Sequence, residues 1–479
     1  MNKKIIYLCA CAVAGLMLTI SCQDSLETDS SNSNTRSVII DKNVFAVKGR
    51  INVKLTEAAT RAIPATRSGK IDMQSVPSPM LSAMNYAGAY RMERVFKPAG
   101  VYEARTKAAG LDRWYTIYFD ESKDVSAVIE HFNKVKGVEF AERILPISQP
   151  KETSMPYEGS ASGMQTRVGN SAFNDPLLSK QWHYYNDGTI SPRAKKGADC
   201  NVLPVWEKYT TGKSNVIVAV VDGGIDITHE DLVDNLYVNE KEKNGQPGVD
   251  DDGNGFVDDV NGYNFVEATD VVGGTIEPDD EGHGTHVAGT VAARNNNGKG
   301  VSGIAGGDGS TGSGVRLMSC QIFRNKNEQG DAAAAIKYAA DNGAVICQNS
   351  WGYSSTAGVT EMPEMLKEAI DYFIKNAGCD ASGQQKADSP MKGGVVIFAA
   401  GNENKDFSAY PACYSKVVSV AAMAWDFSKA SYSNYAKWVT ITAPSEHKQV
   451  CLVRCPKARQ HQAMHTSKGH LWHVHMCLV

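Results

Sequence analysis

Nearly continuous apolar segments alternate with longer mixed segments in the second half of the chain. The apolar segments include 215–221 (NVIVAVV), 315–322 and 394–400, and each predicts a strand buried on both faces of a sheet. The segments 331–340 and 363–376 between them predict helices. Strands that alternate with helices in this way predict an α/β protein with a doubly wound parallel sheet that carries helices on both faces.

The first half of the chain predicts a smaller α+β domain. The segments 114–119 (WYTIYF) and 138–141 predict strands, and the segment between them predicts a helix that ends before Gly137. The apolar face of that helix consists of Val125, Val128, Ile129, Phe132 and Val135. Residues 150–178 lack periodicity and are rich in Ser, Gly and Pro, which predicts an exposed linker where maturation cuts the chain.

Length and net charge limit the number of domains and the classes of partner. A chain of 479 residues suits two or three domains. A net charge of -4 and a pI near 6.3 give no basic surface for nucleic acid, so a nucleic-acid partner is not expected. The predicted segments are 1–22 (signal), 23–44 (flexible tether), 45–149 (small domain), 150–178 (linker), 179–444 (α/β domain) and 445–479 (anomalous tail).

The first residues predict export. Lys3 and Lys4 precede an apolar run over 5–20, which is too short to span a membrane comfortably. Ser21-Cys22 closes the run and resembles the end of a bacterial lipoprotein signal, in which Cys22 is lipidated. A plain secretory signal cut nearby is the alternative. The lipoprotein interpretation implies a membrane anchor on the cell surface or the periplasmic face.

Three polar motifs carry the chemistry. They are VVDGGID around Asp222, EGHGTHVAGT around His283 and FAAGNEN around Asn402. In this order they resemble the aspartate, the histidine and the oxyanion-hole asparagine of the subtilisin-like serine peptidases. The resemblance covers about 174–444 and implies a subtilisin-like parallel sheet. It also makes the small domain similar to the propeptides of that family, which assist folding and block the cleft; an unrelated accessory domain is the alternative.

The resemblance implies a role for each motif. Asp222 would orient His283, His283 would move a proton between nucleophile and leaving group, and Asn402 would donate to the oxyanion. Active sites of open parallel sheets form at the carboxyl ends of strands, which is where these motifs are predicted. The alternatives are a turn or cap role for Asp222 and a turn role for Asn402. His286 is expected to pack inside its helix.

The same resemblance implies a substrate cleft. Substrate would bind as an added antiparallel strand, and the primary pocket would lie between two short segments. One wall is Ser350, Trp351 and Gly352, and the other is Ala399, Ala400 and Gly401. The expected substrate is a peptide or protein, and catalysis of this kind needs no cofactor.

A glycine-rich acidic loop offers oxygen ligands. Asp250, Asp252 and Asn254 match the first half of a calcium-binding loop, and Asp258 lies nearby. Asn261 stands where such a loop has its closing glutamate. Structural calcium and a solvated acidic turn are both open interpretations.

The expected nucleophilic serine motif is missing. The tail from Ser445 holds six of the 11 histidines and one acidic residue, Glu446. If the third base of each codon is read with the first two bases of the next, 468–479 becomes compatible with Gly-Thr-Ser-Met-Ala-Cys-Pro-His-Val-Ser-Gly, the serine motif of the family. The serine would be encoded across His470 and Leu471, after a slip between Pro444 and Gln449. Metal binding by tail histidines lacks a scaffold.

The sequence therefore predicts an exported subtilisin-like serine endopeptidase whose reading frame is altered. The chain as written would be inactive, and loss of the helix that follows the serine would leave it insoluble or degraded. A non-catalytic exported protein that binds peptides in the same cleft is the alternative. Labelling by a fluorophosphonate separates the two, because the reagent reacts with an activated serine.

Overall fold

The computed structural model describes residues 46–64, 66, 68–149, 154–156, 173–266, 274–278, 282–324, 328–445, 449–451 and 465–467. The predicted signal and tether, with Cys22, lie outside the described residues. So do most of the linker and most of the tail, including His470 and Leu471.

The N-terminal domain (46–149) is built on an antiparallel sheet. Its strands are β1 (Arg50–Leu55), β2 (Arg91–Arg94), β3 (Trp114–Tyr118) and β4 (Val138–Arg143), in the order β2-β3-β1-β4. Its helices are α1 (Glu57–Arg61), α2 (Ser78–Ala87), α3 (Glu103–Ala108) and α4 (Val125–Asn133). Asp124 caps α4 by accepting from the Ala127 N–H, and Val128, Ile129 and Phe132 are buried against the sheet. The predicted helix and strands are present.

A parallel sheet organises the main domain (173–445). After β5 (Ser154–Pro156), its strands are β6 (Ile217–Asp222), β7 (Gly262–Asn264), β8 (Arg316–Gln321), β9 (Ile346–Asn349), β10 (Val395–Ala399), β11 (Val418–Met423) and β12 (Ile441–Pro444). Their order is β12-β11-β10-β9-β6-β8-β7. All neighbouring pairs are parallel, so all carboxyl ends lie at one edge.

Helices cover both faces of this sheet. The α-helices of this domain are α5 (Leu203–Lys208), α6 (Glu240–Lys243), α7 (His283–Ala292), α8 (Ala332–Asp341) and α9 (Glu364–Asn376), of which α7 packs on one face of the sheet and α8 and α9 on the other. Alternate residues of β6 point to opposite faces: Val218 and Val220 lie in one apolar cluster with α7, and Ala219 and Val221 lie in another with α8 and α9. This two-sided burial explains why β6 is almost entirely apolar and confirms the predicted fold.

Several boundaries differ from those predicted. Helix α9 begins at Glu364 rather than at 363, and β8 covers 316–321 rather than 315–322. Phe173, Leu177 and Leu178 are buried in the main domain, so the predicted exposed linker does not extend to 178. Three apolar residues are too few to establish a recognisable period. Two strands from the tail, β13 (Gln449–Cys451) and β14 (His465–Ser467), form an antiparallel sheet with β5.

The N-terminal domain packs on helices α8 and α9 of the main domain. Phe96, Leu111 and Trp114 join the same apolar cluster as residues of those helices. The Trp114 indole N–H donates to Glu368 Oε2 over 2.8 Å, and Lys54 forms an ion pair with the same carboxylate. Glu142 accepts from the backbone N–H groups of Glu364 and Met365 at the start of α9, at 2.9 and 3.2 Å.

No helix within the parts of the chain that the structure describes has the length and apolar character needed to cross a membrane.

Candidate active site

Asp222 and His283 form a buried hydrogen-bonded pair at the carboxyl edge of the sheet. Asp222 is the last residue of β6, and His283 is the first residue of α7. The His283 Nδ1 atom lies 2.5 Å from Asp222 Oδ1, and the side chains are 1% and 0% exposed. Because an ionised carboxylate only accepts hydrogen bonds, Nδ1 carries the proton of the neutral ring and Nε2 carries the lone pair.

Glycines allow β6 and α7 to come this close. Gly224, just beyond β6, has a φ of +89°, and a Cβ atom on Gly284 would lie 2.4 Å from the Gly224 carbonyl oxygen. A side chain at position 284 would therefore push the start of α7 away from the end of β6, and one at 224 would meet Gln321 of β8 in a backbone conformation that favours glycine. The glycines of the two motifs thus determine the spacing between Asp222 and His283.

A second histidine of the same motif has a different environment. His286 is fully buried one turn along α7, and burial lowers its pKa to about 3. Burial also lowers the pKa of nearby His183 to about 3. Both rings therefore stay neutral at ordinary pH, and His286 has the packing position predicted for it.

The other predicted site residues lie at the same edge of the sheet. Ser350 directly follows β9, the neighbour of β6, and Asn402 lies just beyond β10, one strand further. Both residues therefore lie at the ends of successive parallel strands, at the edge that also carries the bonded pair Asp222 and His283.

The two predicted walls are held by buried contacts. The Trp351 ring packs edge-on against Phe398 at 5.1 Å between centroids, and Ser350 Oγ accepts from the Gln348 side chain. On the other side Ala399, Ala400 and Gly401 are buried, and Asn434 donates to the carbonyl oxygens of Ala400 and Gly401.

Gly352 forms an isolated antiparallel bridge with Ser148, which lies beyond β4 of the N-terminal domain. The Ser148 N–H donates to the Gly352 carbonyl over 3.0 Å, and the Gly352 N–H donates to the Ser148 carbonyl over 3.1 Å. The Ile147 N–H donates to the Gln329 side chain over 3.0 Å. An extended peptide thus lies antiparallel to the segment predicted to bind substrate.

The acidic loop brings together a different set of residues from the one predicted. Carboxylate oxygens of Asp250, Asp252 and Glu242 lie within 4.8 Å of one another. The Asn254 amide instead donates to Asp252, Asp259 and Asn342, and Asp258 accepts from the Gly248 N–H. Glu242 could not be predicted from the loop motif, because it lies outside that motif on α6.

Family comparisons agree with this architecture. A model described as the Subtilase family matches residues 213–472, and a model described as the N-terminal of the Subtilase family matches residues 51–188. The fold and these matches define the class of protein, a subtilisin-like α/β fold preceded by a propeptide-like N-terminal domain. Because the first match covers more than half of the chain, the chain belongs to the Subtilase family.

Individual relatives share about 30% of their residues with this chain over the matched part. The chain is 31% identical over 243 residues to the thermophilic serine proteinase of Bacillus sp. (strain AK1), a match covering 50% of this chain and 46% of that protein. It is 30% identical over 251 residues to the major intracellular serine protease of Bacillus subtilis (strain 168), covering 51% and 61%. The matched region therefore spans about half the length of these relatives.

A solved structure shares the fold. Fervidolysin from Fervidobacterium pennivorans, described as a keratinolytic enzyme related to subtilisin, aligns with a TM-score of 0.52 and 20% identity. The alignment covers 90% of this chain and 53% of that one.

Proposed function

We propose that this chain represents an exported serine endopeptidase that cleaves peptide bonds by acyl transfer through Asp222, His283 and a serine lost from the printed reading frame. The buried 2.5 Å contact between His283 Nδ1 and Asp222 Oδ1 carries the proposal. A carboxylate at this position holds the imidazole in one tautomer and stabilises the imidazolium that forms during catalysis.

The proposed reaction uses four groups. The serine oxygen attacks the peptide carbonyl while His283 Nε2 takes its proton, and the same proton then goes to the leaving amine. Asp222 stays ionised and stabilises the ring. The Asn402 side-chain amide donates to the oxyanion, a contribution typically worth about 10²–10³ in kcat.

The codons of 468–479, read in the shifted frame, support the proposal that a serine motif has been lost. They are compatible with Gly-Thr-Ser-Met-Ala-Cys-Pro-His-Val-Ser-Gly, with the serine across His470 and Leu471. The step from Trp472 to His473 can encode only alanine, and the step from Met476 to Cys477 only valine. As printed, the chain lacks this nucleophile and is expected to have only slight activity.

The N-terminal domain is the proposed inhibitor of its own main domain. The antiparallel pairing of Ser148 with Gly352 supports this role, because it occupies the segment along which a substrate would bind. Cleavage in 150–172 and release of the domain would then open the cleft. Ser350 to Gly352 and Ala399 to Gly401 are the proposed walls of the primary pocket.

Restoring the reading frame tests the function. The gene is repaired by one inserted or removed base between the codons of Pro444 and Gln449, and the folded product is treated with a fluorophosphonate. We expect labelling and peptide hydrolysis, both lost in His283→Ala and retained in His131→Ala, a histidine of the N-terminal domain. Folded, repaired protein that does not react would contradict the proposal and favour the non-catalytic peptide-binding alternative.

Calcium binding is a secondary proposal for the acidic loop. Asp250 and Asp252, joined by Glu242, would supply hard oxygen ligands, with Asn254 and Asp258 stabilising the loop around them. Calorimetric titration of folded protein with calcium should show binding that Asp252→Asn weakens. No heat change with the parent protein would remove calcium from the proposal.

Export as a lipoprotein is proposed from the first residues alone. Labelled fatty acid should enter the parent protein and not the Cys22→Ala variant. Secretion of an unlabelled parent protein would favour the plain secretory signal.

A further inference from the structure

An arginine of the N-terminal domain is buried inside the main domain. Arg105, on α3, is 9% exposed. Its Nε donates to the Tyr372 hydroxyl over 2.8 Å, and its Nη2 donates to Asp341 Oδ1 over 2.6 Å. Its Nη1 donates to the carbonyl oxygens of Cys379 and Asp380, each over 3.0 Å. All four acceptors belong to the main domain.

The acceptors come from three separate elements. Asp341 ends α8, Tyr372 lies within α9, and the two carbonyls belong to the loop that follows α9. The Tyr372 hydroxyl also donates to Asp341 Oδ1 over 2.7 Å. Together they surround a planar guanidinium on its donor edges, while the Tyr102 ring of the N-terminal domain lies 3.9 Å from Arg105 Cζ.

The loop holds its carbonyls in place without help from Arg105. The Asp380 N–H donates to the Gln384 carbonyl, and the Lys386 N–H donates to the Gly378 carbonyl. Asp380 Oδ1 accepts from the N–H groups of Ser382 and Gln384. Because these bonds lie within the loop, both carbonyl acceptors remain in position when the N-terminal domain is absent.

Asp341 is also compensated without Arg105. Its other oxygen, Oδ2, accepts from the buried Lys337 ammonium over 2.5 Å. Release of Arg105 therefore leaves an ion pair rather than an isolated buried charge, whose cost would otherwise oppose separation of the domains. The acceptor set is suited to reversible occupation.

We propose that Asp341, Tyr372 and the carbonyls of Cys379 and Asp380 form a guanidinium-binding pocket on the main domain. Its ligand is the Arg105 side chain, and this contact controls how long the N-terminal domain stays bound after the linker is cut. The inference rests on the proposed function only in treating the N-terminal domain as separable. The pocket is specific for arginine, because the ammonium of lysine has no fork to reach three elements at once.

Dissociation of the cut protein tests the pocket directly. A recognition sequence for a site-specific protease is placed between 157 and 166 of the full chain, which is immobilised through its C-terminus and cut. Loss of the N-terminal fragment is then followed by surface plasmon resonance. The same measurement is made on the frame-repaired chain with alanine at the restored serine, so that a poorly folding tail does not decide the result.

Variants on both sides of the contact are compared. We expect Arg105→Ala to speed dissociation by about 100-fold and Arg105→Lys by about tenfold. Tyr372→Phe, which leaves the N-terminal domain unaltered, should speed it by several-fold. The matched controls are Arg113→Ala, which loses a contact to Glu139 within the N-terminal domain, and Tyr414→Phe, which loses a contact to Asp371 within the main domain. Both controls should stay within about twofold of the parent.

Each outcome bears on the proposal. Arg105→Ala with Tyr372→Phe should dissociate more slowly than the product of their separate effects, because both remove the same bond. Multiplicative effects, or parent-like dissociation of Arg105→Ala, would overturn the pocket. Parent-like dissociation of Arg105→Lys would overturn its specificity for guanidinium. The test uses no catalysis, so failure of fluorophosphonate labelling would contradict the protease function and leave the pocket intact.

Discussion

Asp222 and Glu142 are both buried carboxylates that accept hydrogen bonds from nitrogen, yet their partners differ. Asp222 contacts an imidazole within the main domain, whereas Glu142 reaches from β4 of the N-terminal domain to two backbone N–H groups of α9. An imidazole can gain and lose a proton near neutral pH, and a backbone amide cannot. The first carboxylate is therefore suited to proton transfer, and the second to docking.

Burial affects Glu142 strongly. Removal from water raises its pKa to about 8, despite the two backbone donors and with added repulsion from Glu364 and Glu368. The docked domain therefore favours the neutral carboxyl. Two similarly buried acidic side chains can thus serve proton transfer or docking. The group that each one contacts, an imidazole or backbone amides, determines its role.

The largest expected effect comes from breaking the Asp222 contact. In the frame-repaired protein, Asp222→Asn should lower kcat by about 10⁴-fold, because an amide can hold His283 in the wrong tautomer. Hydrolysis of a peptide substrate measures the change. Asp226→Asn, at a turn close by, is the matched control and should stay near parent activity; equal losses in the two variants would contradict the assigned role.

Removing the docking carboxylate should have a smaller effect. Glu142→Ala leaves the first N–H groups of α9 without their acceptor and should speed dissociation of the cut N-terminal domain by about tenfold to 100-fold. Arg143→Ala, next along the same strand but bonded to Ser126 of its own domain, is the control. Surface plasmon resonance of the cut chain gives both rates, and equal rates would remove Glu142 from the docking contact.

The same carboxylate predicts a pH dependence. Its pKa rises from about 4.5 when free to about 8 when docked, so its contribution to docking is complete below about pH 4.5 and is lost as pH rises through 8. Dissociation should therefore be faster at pH 9 than at pH 6, on the order of tenfold. Glu142→Gln, which resembles the neutral acid, should flatten this profile; an unchanged profile in that variant would assign the dependence to another group.

An exposed ion pair gives the smallest expected effect. Arg61 and Glu57 lie one turn apart on α1, with side chains 75% and 71% exposed. Arg61→Ala should change the free energy of unfolding by no more than about 0.5 kcal/mol, because water and salt screen such pairs. Denaturant titration measures the free energy of unfolding. A loss above about 1 kcal/mol would show that exposure to solvent does not by itself distinguish this ion pair from the buried contacts of Asp222 and Glu142.

Local pattern was enough to predict the sheet and the Asp222–His283 motifs. The apolar strands β6, β8 and β10 are buried on both faces, and the motif glycines act within a few residues of the side chains they position. Strand β2 (RMER) escaped prediction because it lies at a sheet edge and buries only Met92. Its charged residues gave no strand signal.

Contacts between domains could not be predicted in this way. Arg105 and Asp341 are separated by 236 residues, and Glu142 and Glu364 by 222. No sequence period joins such residues, since their proximity arises only after both domains have folded. The roles of Asn402, Ser350 and the acidic loop stay predictions.

The loop after α9 has a consequence for how this protein can vary. Its contribution to Arg105 comes from main-chain carbonyls, so the side chains of Cys379 and Asp380 do not themselves bind the guanidinium. An insertion or deletion would move both carbonyls at once. Loop length would therefore be inherited together with Asp380, whose side chain holds the loop, and a comparison that scores matching letters would overlook the length.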